Sequence, residues 1–272
     1  MADQVRDGTS PAGANSSPPL LRAVGLSKRF GGVQALRDVS FTVDRGQIVG
    51  LIGPNGSGKS TCVNLLSSNL PVSAGEVWLD GELLTGKPID AAVVKGLSRT
   101  FQSTQIFPED TALENVMLGC HTLFKQGPAK SVLRTASAKR ENLELVTHAE
   151  HSLALVGLAA RRDQIASTLS AAEQRLLMIG VALASKPKVI LLDEPAAGMV
   201  ASERRALAGI IRAMPSHGIS VLVIEHHMGL IMEVCDRIVV LNFGQKIAEG
   251  TPAEIRNNQA VIDAYLGHRD HA

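Results

Sequence analysis

The stretch GPNGSGKST (residues 53–61) places glycines, a lysine and two hydroxyls in the spacing G-x-x-x-x-G-K-S/T. Glycines let backbone N–H groups curl around the β- and γ-phosphates of a nucleotide, and the following helix adds its positive N-terminal end. Lys59 then reaches the β/γ oxygens, Ser60 ligates Mg²⁺ and Thr61 donates to the α-phosphate. The predicted phosphate-binding residues are Gly53, Pro54, Asn55, Gly56, Ser57, Gly58, Lys59, Ser60 and Thr61.

Two other apolar runs end in residues that can act on a phosphate. VILLDEP (residues 189–195) ends in an acid pair, and VLVIEHHM (residues 221–228) contains His226. Either feature alone fits a solvated strand end or a structural histidine. Beside a phosphate loop, Asp193 can hold the Mg²⁺ shell, and Glu194 is then placed to polarise the attacking water. We interpret His226 as a contact to the γ-phosphate.

The elements expected around these residues are buried strands separated by helices. Continuous apolar runs predict buried strands at 48–53, 189–193, 220–224 and 238–242, and residues 39–43 alternate as in a half-buried strand. Such strands imply a mainly parallel sheet in an α/β fold. Residues from about 113 to 158 have helix-forming composition and no strand candidate, which indicates a helical insertion.

Composition narrows the class of protein. The chain has 272 residues, of which 45% are hydrophobic, and this is enough for a sizeable core. Its net charge is +1. The basic residues are scattered, which argues against a nucleic-acid partner. Three cysteines without zinc spacing favour a reducing compartment. The sequence shows no signal-peptide layout, and no apolar run approaches the ~20 residues of a membrane span. We therefore expect a cytoplasmic protein. Residues 1–19, rich in Ser, Pro, Gly and Ala, are expected to be a disordered tail.

The stretch LSAAEQ (residues 169–174) has two interpretations. Ser170 followed three residues later by Glu173 is the pattern of a capping box at a helix start. The stretch also precedes the acid strand and is a candidate for facing a phosphate. The carboxylate that favours the cap would disfavour the phosphate.

Together these motifs resemble the nucleotide-binding subunit of an ABC transporter over about residues 20 to 268. The resemblance implies an α/β P-loop NTPase fold with a mainly parallel core sheet, an antiparallel β subdomain and a helical subdomain insertion at about 113–180. The nucleotide-binding domain would span 20–268, between the tail at 1–19 and a C-terminal tail at 269–272. ATP and Mg²⁺ are the implied cofactors.

The same resemblance assigns roles to residues that carry no signal alone. Phe30 matches the aromatic residue that stacks on adenine, Gln102 matches the Q-loop glutamine, and Ser170 belongs to the signature motif. Asp193 and Glu194 match Walker B. The implied catalytic residues are Glu194, His226 and Gln102, and the implied Mg²⁺ ligands are Ser60, Gln102 and Asp193.

A narrower resemblance is to the ATPase subunits of the branched-chain amino acid importer family, which also includes urea and amide carriers. The segments that carry it are GGVQALRDVSF, GLSRTFQSTQIFPEDTALENV, IAEGTPAEI and VIDAYLG. It implies a dimer with a second ABC ATPase subunit, identical or different, with ATP sandwiched between Walker A and the partner's signature. Transmembrane permease subunits would hold the dimer at the cytoplasmic face of the membrane, and a periplasmic or extracellular solute-binding protein would act indirectly.

The chain departs from the family pattern in its signature, where L-S-G-G-Q is replaced by a sequence with Ala171, Ala172 and Glu173. Two unit charges ~6 Å apart at an effective dielectric of ~20 repel by roughly 3 kcal/mol, which predicts weak ATP affinity at that site. Val200 stands where the family usually has Asp or Asn. His227 stands where it usually has Asp. Three alternatives stay open: tolerated variants in a symmetric ATPase, a regulatory subunit with little turnover, and a non-transport ABC ATPase.

Overall fold

The computed structural model describes residues 18–100, 106–120 and 136–266, which form two β-sheets and a set of helices. The strands are β1 Leu21–Phe30, β2 Val33–Val43, β3 Ile48–Ile52, β4 Ala74–Leu79, β5 Glu82–Leu83, β6 Leu97–Thr100, β7 Val189–Asp193, β8 Ser220–Ile224, β9 Arg237–Asn242 and β10 Gln245–Gly250. The helices are α1 Lys59–Leu66, α2 Ile89–Val94, α3 Ala112–Gly119, α4 Ala136–Leu155, α5 Ala171–Ala184, α6 Ala201–Ala213, α7 Met228–Val234, α8 Pro252–Arg256 and α9 Gln259–Leu266.

The larger sheet has six strands in the order β10-β9-β3-β8-β7-β6. Every neighbouring pair from β9 to β6 is parallel, and β10 closes one edge as an antiparallel strand. The prediction of a mainly parallel sheet is therefore confirmed. Because β8 lies between β3 and β7, the carboxyl ends of these three strands open onto one edge of the sheet.

The central strands are almost continuously apolar because both faces of the sheet are covered. In β7, Ile190 and Leu192 pack into one core while Val189 and Leu191 pack into the other. The first core includes residues of the helices from α3 to α9, and the second includes residues of α1, α2 and the antiparallel sheet. Side chains alternate between the two faces of a strand, so a strand covered on both faces needs apolar residues at nearly every position. The sequence shows this signal.

The smaller sheet has four antiparallel strands in the order β2-β1-β4-β5. Within this sheet, the sequence predicts only the second half of β2 and misses β1, β4 and β5. It also misses β6 and β10 of the larger sheet. The strand β1, LRAVGLSKRF, mixes charge with apolar residues and has register shifts around Gly25, whose φ is +58°. Its alternation is too irregular to read from the sequence.

The helices α3, α4 and α5 lie between β6 and β7 in the chain, as the helical insertion predicts. A capping box of Thr111 and Glu114 begins α3, with Thr111 Oγ1 accepting from the Glu114 N–H at 3.2 Å. Between α4 and α5, the described residues hold only short 3₁₀ turns and an isolated bridge from Ile165 to Thr111. No helix in the described ranges combines the length and apolar character that a bilayer span requires.

Candidate active site

The phosphate loop leaves β3 and enters α1, as the motif requires. At Gly53 the φ is +151°, and a Cβ there would lie 2.1 Å from the Leu241 carbonyl oxygen. At Gly58, with φ +102°, a Cβ would lie 2.8 Å from the Ala35 carbonyl oxygen. Only glycine fits at either position, because both the backbone angle and the neighbouring backbone exclude a side chain.

Lys59, the first residue of α1, is folded back over its own loop. Its ammonium donates to the carbonyl oxygens of Gly53, at 2.7 Å, and Pro54, at 2.9 Å. Burial lowers the pKa of Lys59, and the nearby carboxylates of Glu194 and Asp193 oppose that shift. A buried cation beside two acids can compensate phosphate charge.

The loop lines a cavity of about 470 Å³ with residues 55–61. Glu194 lines the same cavity. This glutamate has a φ of +48°, a left-handed conformation that costs a non-glycine residue about 1–3 kcal/mol and is enriched at functional sites. The remaining lining residues are Val33, Gln34, Ala35, Phe243 and Gly244.

Asp193, the last residue of β7, is tied to a cation that sequence reasoning missed. The Nη2 of Arg99, on β6, donates to Asp193 Oδ2 at 2.8 Å, and the two side chains are 9% and 1% exposed. The Nη1 of Arg99 reaches Asn64 Oδ1 at 2.6 Å and Ser67 Oγ at 3.2 Å, both on or just after α1. Arg99 therefore links the loop helix, the acid strand and β6.

The second carboxylate oxygen of Asp193 lacks such a partner among the described residues. Asp193 Oδ1 is buried and has no hydrogen-bond partner in the described part of the chain, and neither has the hydroxyl of Ser57 in the loop. An unsatisfied buried carboxylate oxygen is costly unless a cation or donor fills the space beside it. Ser60, the other predicted metal ligand in the described residues, is exposed in the first turn of α1.

His226 follows β8 and sits on a buried glutamate. Glu225 has no exposed surface, and its Oε2 accepts the backbone N–H groups of His226, at 3.1 Å, and His227, at 3.3 Å. Its Oε1 accepts the Ala196 N–H at 2.7 Å, just after the acid pair of β7. Glu225 thus fixes the loop of His226 against the loop of Glu194. The histidine side chain itself is half exposed.

Phe30 ends β1 and faces Val33 across the turn to β2, and Val33 lines the cavity. Phe30 is not among the lining residues, and the Lys28 ammonium lies 5.2 Å from its ring centroid. An aromatic side chain that does line the cavity is Phe243, which no sequence pattern singled out. Gln102 lies outside the described residues, so its two predicted roles stay predictions.

Ser170 and Glu173 form the predicted capping box at the start of α5. Ser170 Oγ accepts the Glu173 N–H at 3.2 Å, and Glu173 Oε2 accepts the Ser170 N–H at 2.9 Å. Arg161 Nε donates to the other carboxylate oxygen at 3.1 Å. The backbone N–H of Ser170 lowers the pKa of Glu173, and Arg161 adds to the effect.

These contacts reduce the charge repulsion expected between Glu173 and a partner's nucleotide. The carboxylate of Glu173 is turned back onto its own helix end and shared with a guanidinium, so roughly 3 kcal/mol of repulsion is an upper bound. Of the signature residues, Ser170 and Ala171 are exposed at the surface. Val200 is also exposed, and it begins α6 with Glu203 accepting its N–H at 2.9 Å.

Comparison with known proteins shows what this arrangement is similar to. Residues 36–197 match the family described as ABC transporter. Residues 245–271 match the family described as branched-chain amino acid ATP-binding cassette transporter. The C-terminal match covers β10, α8 and α9.

Among curated relatives, the high-affinity branched-chain amino acid transport ATP-binding protein BraF of Pseudomonas aeruginosa is 39% identical over 92% of this chain and 99% of that protein. The protein LivG of Escherichia coli, of the same description, has the same identity and coverage. A solved ATP-binding cassette of an ABC transporter, in its ADP conformation, has a TM-score of 0.80 at 31% identity, over 92% of this chain and 100% of that one.

Proposed function

Because the chain belongs to the ABC transporter family of ATP-binding subunits, we propose that it hydrolyses ATP to energise an importer of branched-chain amino acids or a related small solute such as urea or amides. One observation carries the catalytic part of this proposal. The phosphate loop, Asp193 and Glu194 meet at the carboxyl edge of one parallel sheet, and Glu194 and the loop line one cavity. Ligands of open α/β sheets bind at such an edge.

In this proposal each residue has a separate task. Lys59 leaves its carbonyl partners to neutralise the β/γ-phosphates. Glu194, which lines the same cavity as the loop, polarises the attacking water, and His226 contacts the γ-phosphate. Phe30 stacks on adenine from the turn beside the cavity.

The residues present fit Mg²⁺. Asp193 Oδ1, buried and without a described hydrogen-bond partner, and the exposed Ser60 hydroxyl supply oxygen ligands of the type this ion prefers. Gln102 is the third proposed ligand. When bound, Mg²⁺ would neutralise charge that develops on the phosphate oxygens. Arg99 orients Asp193 by engaging only its other oxygen.

Partners and location follow from the same family. We infer a dimer with a second cassette, in which the exposed Ser170 and its helix face the partner's nucleotide. Permease subunits would hold this dimer at the cytoplasmic face of the membrane, with a solute-binding protein acting on the far side. The names of the relatives and the C-terminal match support branched-chain amino acids as the solute.

A second candidate function is a subunit that binds ATP with little turnover. The observation that favours it is the signature, where Ala171, Ala172 and Glu173 replace the glycines and the amide of the family pattern. Even with its charge shared, Glu173 supplies no neutral amide to a partner's nucleotide.

The test is reconstitution of the full-length chain with the permease subunits that co-purify with it. We expect ATP hydrolysis that rises with solute-loaded binding protein, and ATP-dependent uptake of labelled leucine in preference to urea. Lys59→Ala is the matched control and should abolish both. Binding of ATP without hydrolysis in the complete complex would favour the second candidate, and hydrolysis equal to wild type in Lys59→Ala would overturn the first.

A further inference from the structure

Three consecutive residues after β8 offer metal ligands to one point in space. Glu225 Oε2 lies 3.8 Å from His226 Nδ1 and 3.7 Å from His227 Nδ1. One ligand atom from each of the three residues falls within 4.8 Å of the others. The two imidazole rings are 4.7 Å apart between centroids, so the chain bends to bring both onto the same side.

The separations suit a shared ion better than direct contacts. At 3.7 to 3.8 Å the carboxylate and ring nitrogens are too far apart for hydrogen bonds. Two ligands bound to one zinc ion at about 2.0–2.2 Å each, at tetrahedral angles, lie roughly 3.4 Å apart. A small rotation of the partly exposed rings closes the difference of a few tenths of an ångström to Glu225 Oε2. The two ring nitrogens, which lie within 4.8 Å of each other, must also approach by up to about 1.4 Å.

One buried charge and one unpartnered nitrogen mark the same spot, where the Glu225 carboxylate already accepts three backbone N–H groups. Glu225 is wholly buried, and in the described part of the chain its ion-pair partners are these two histidines, which are charged only if protonated. His227 Nδ1 is buried without a hydrogen-bond partner among the described residues. A buried carboxylate facing an unpartnered imidazole nitrogen is stabilised by a cation between them.

We propose that Glu225, His226 and His227 bind a first-row divalent transition ion, with Zn²⁺ as the representative, and that this ion inhibits ATP turnover. Imidazole with carboxylate is a donor set for zinc, nickel and copper, whereas Mg²⁺ is a hard ion that takes oxygen ligands. The site is therefore separate in chemistry from the Mg²⁺ ligands at Asp193. His227, which replaces the usual Asp of the family pattern, supplies the second imidazole.

Inhibition follows from what the ion holds. Zn²⁺ bound to His226 Nδ1 leaves Nε2 free but holds the ring beside Glu225, so we expect Nε2 no longer to reach the γ-phosphate. This regulatory step rests on the proposed function, because it needs His226 to act in turnover. Binding of the ion does not rest on it, so the two parts are tested separately.

The binding test uses the full-length chain without nucleotide. Zn²⁺ affinity is measured by competition with a chromophoric chelator, and Co²⁺ absorption reports the ligand set. We expect His227→Ala to weaken Zn²⁺ binding by at least about tenfold, the lower limit for perturbing even an outer partner of a metal site. His227→Asn should weaken Zn²⁺ binding as well, and thermal unfolding of both variants shows whether the loss comes from a folding defect.

The matched control is His151→Ala, because His151 forms another close pair with His217, at 6.0 Å between ring centroids. It should leave Zn²⁺ affinity unchanged. Equal affinity in wild type and both His227 variants, or the same loss in His151→Ala, overturns the site.

The inhibition test measures Mg-ATP turnover of the transporter complex at free Zn²⁺ concentrations set by a chelator. Wild type should lose turnover as the site fills and recover when the chelator is in excess, while His227→Ala resists. Inhibition of equal strength in both overturns the regulatory part. If wild type shows no turnover even without Zn²⁺, the proposed function fails, and the binding test still decides the site.

Discussion

Replacing Arg99 tests whether a single guanidinium holds the acid that we assign to Mg²⁺. In Arg99→Met the apolar stem of similar length stays, but Asp193 Oδ2 loses its 2.8 Å partner, and Asn64 and Ser67 lose their contacts to Nη1. Asp193 is 1% exposed, so water cannot take over without opening the strand end.

The expected magnitude follows from this burial. Removing one partner of a buried ion pair costs about 3–5 kcal/mol because an uncompensated charge remains. For a protein of this size each kcal/mol lowers Tm by about 2–4 °C, so Tm should fall by roughly 6–20 °C. If Asp193 also turns away from the Mg²⁺ position, metal affinity should fall by about 10–100-fold, as when an outer partner of a ligand is removed.

Two assays separate these effects. Urea unfolding measures stability, and ATP turnover of the complex as a function of Mg²⁺ concentration measures the metal requirement. Arg99→Lys should recover part of the stability but less of the Mg²⁺ response, because an ammonium lacks the fork that bridges Asp193 and α1. Arg212→Met is the matched control. Its pair with Glu233, 51% and 41% exposed, should contribute about 0–1 kcal/mol. Wild-type stability together with a wild-type Mg²⁺ requirement in Arg99→Met would refute the reasoning.

Three further changes test the site. Lys59→Ala should remove ATP-dependent thermal stabilisation, because the charge that compensates the β/γ-phosphates is gone; binding within a few-fold of wild type would contradict the phosphate-loop assignment. Glu194→Gln should retain ATP binding and lose most hydrolysis, since an amide cannot act as a base, and size-exclusion chromatography with ATP should show an accumulated dimer; unchanged turnover would remove Glu194 from the mechanism. Arg161→Ala should slow turnover of the complex by uncovering the Glu173 carboxylate, but should have no effect in a Glu173→Gln background; equal effects in both backgrounds would show that Arg161 acts elsewhere.

The centre of the fold was predictable because its strands are buried on both faces. Runs such as the one that becomes β8, at 220–224, are apolar after their first residue and stand between helical stretches. The antiparallel strands were not predictable in the same way. β4 and β5 have exposed or half-buried faces, and β5 is two residues long, so neither shows a run or a regular alternation. β4 pairs with β1 and β5 pairs with β4, so their places are settled by tertiary contact rather than by local pattern.

Within the site, residues in contiguous motifs could be predicted, whereas residues that act through partners distant in sequence could not. Residues 53–61 carry their function in a contiguous motif, and Asp193 and Glu194 end a recognisable strand. Arg99 gave no signal, since its partner Asp193 is ninety-four residues away in sequence. Phe243 was missed for a related reason. It sits in the turn between β9 and β10, with φ +43°, and reaches the cavity because Gly244 donates to the Ser57 carbonyl oxygen at 3.0 Å.

Glu173 shows why the contacts of a charged motif residue limit the size of its effect. The sequence places a carboxylate three residues after Ser170, and both interpretations of that spacing were available from the chain alone. Charge repulsion was estimated as if the carboxylate were free, yet its two oxygens already accept from the Ser170 N–H and from Arg161. Arg161 lies twelve residues earlier, beyond one helix turn, so no local rule pairs it with Glu173. An unusual charge in a motif should therefore be judged with its nearest counter-charge in space, and here that counter-charge makes an active signature compatible with the glutamate.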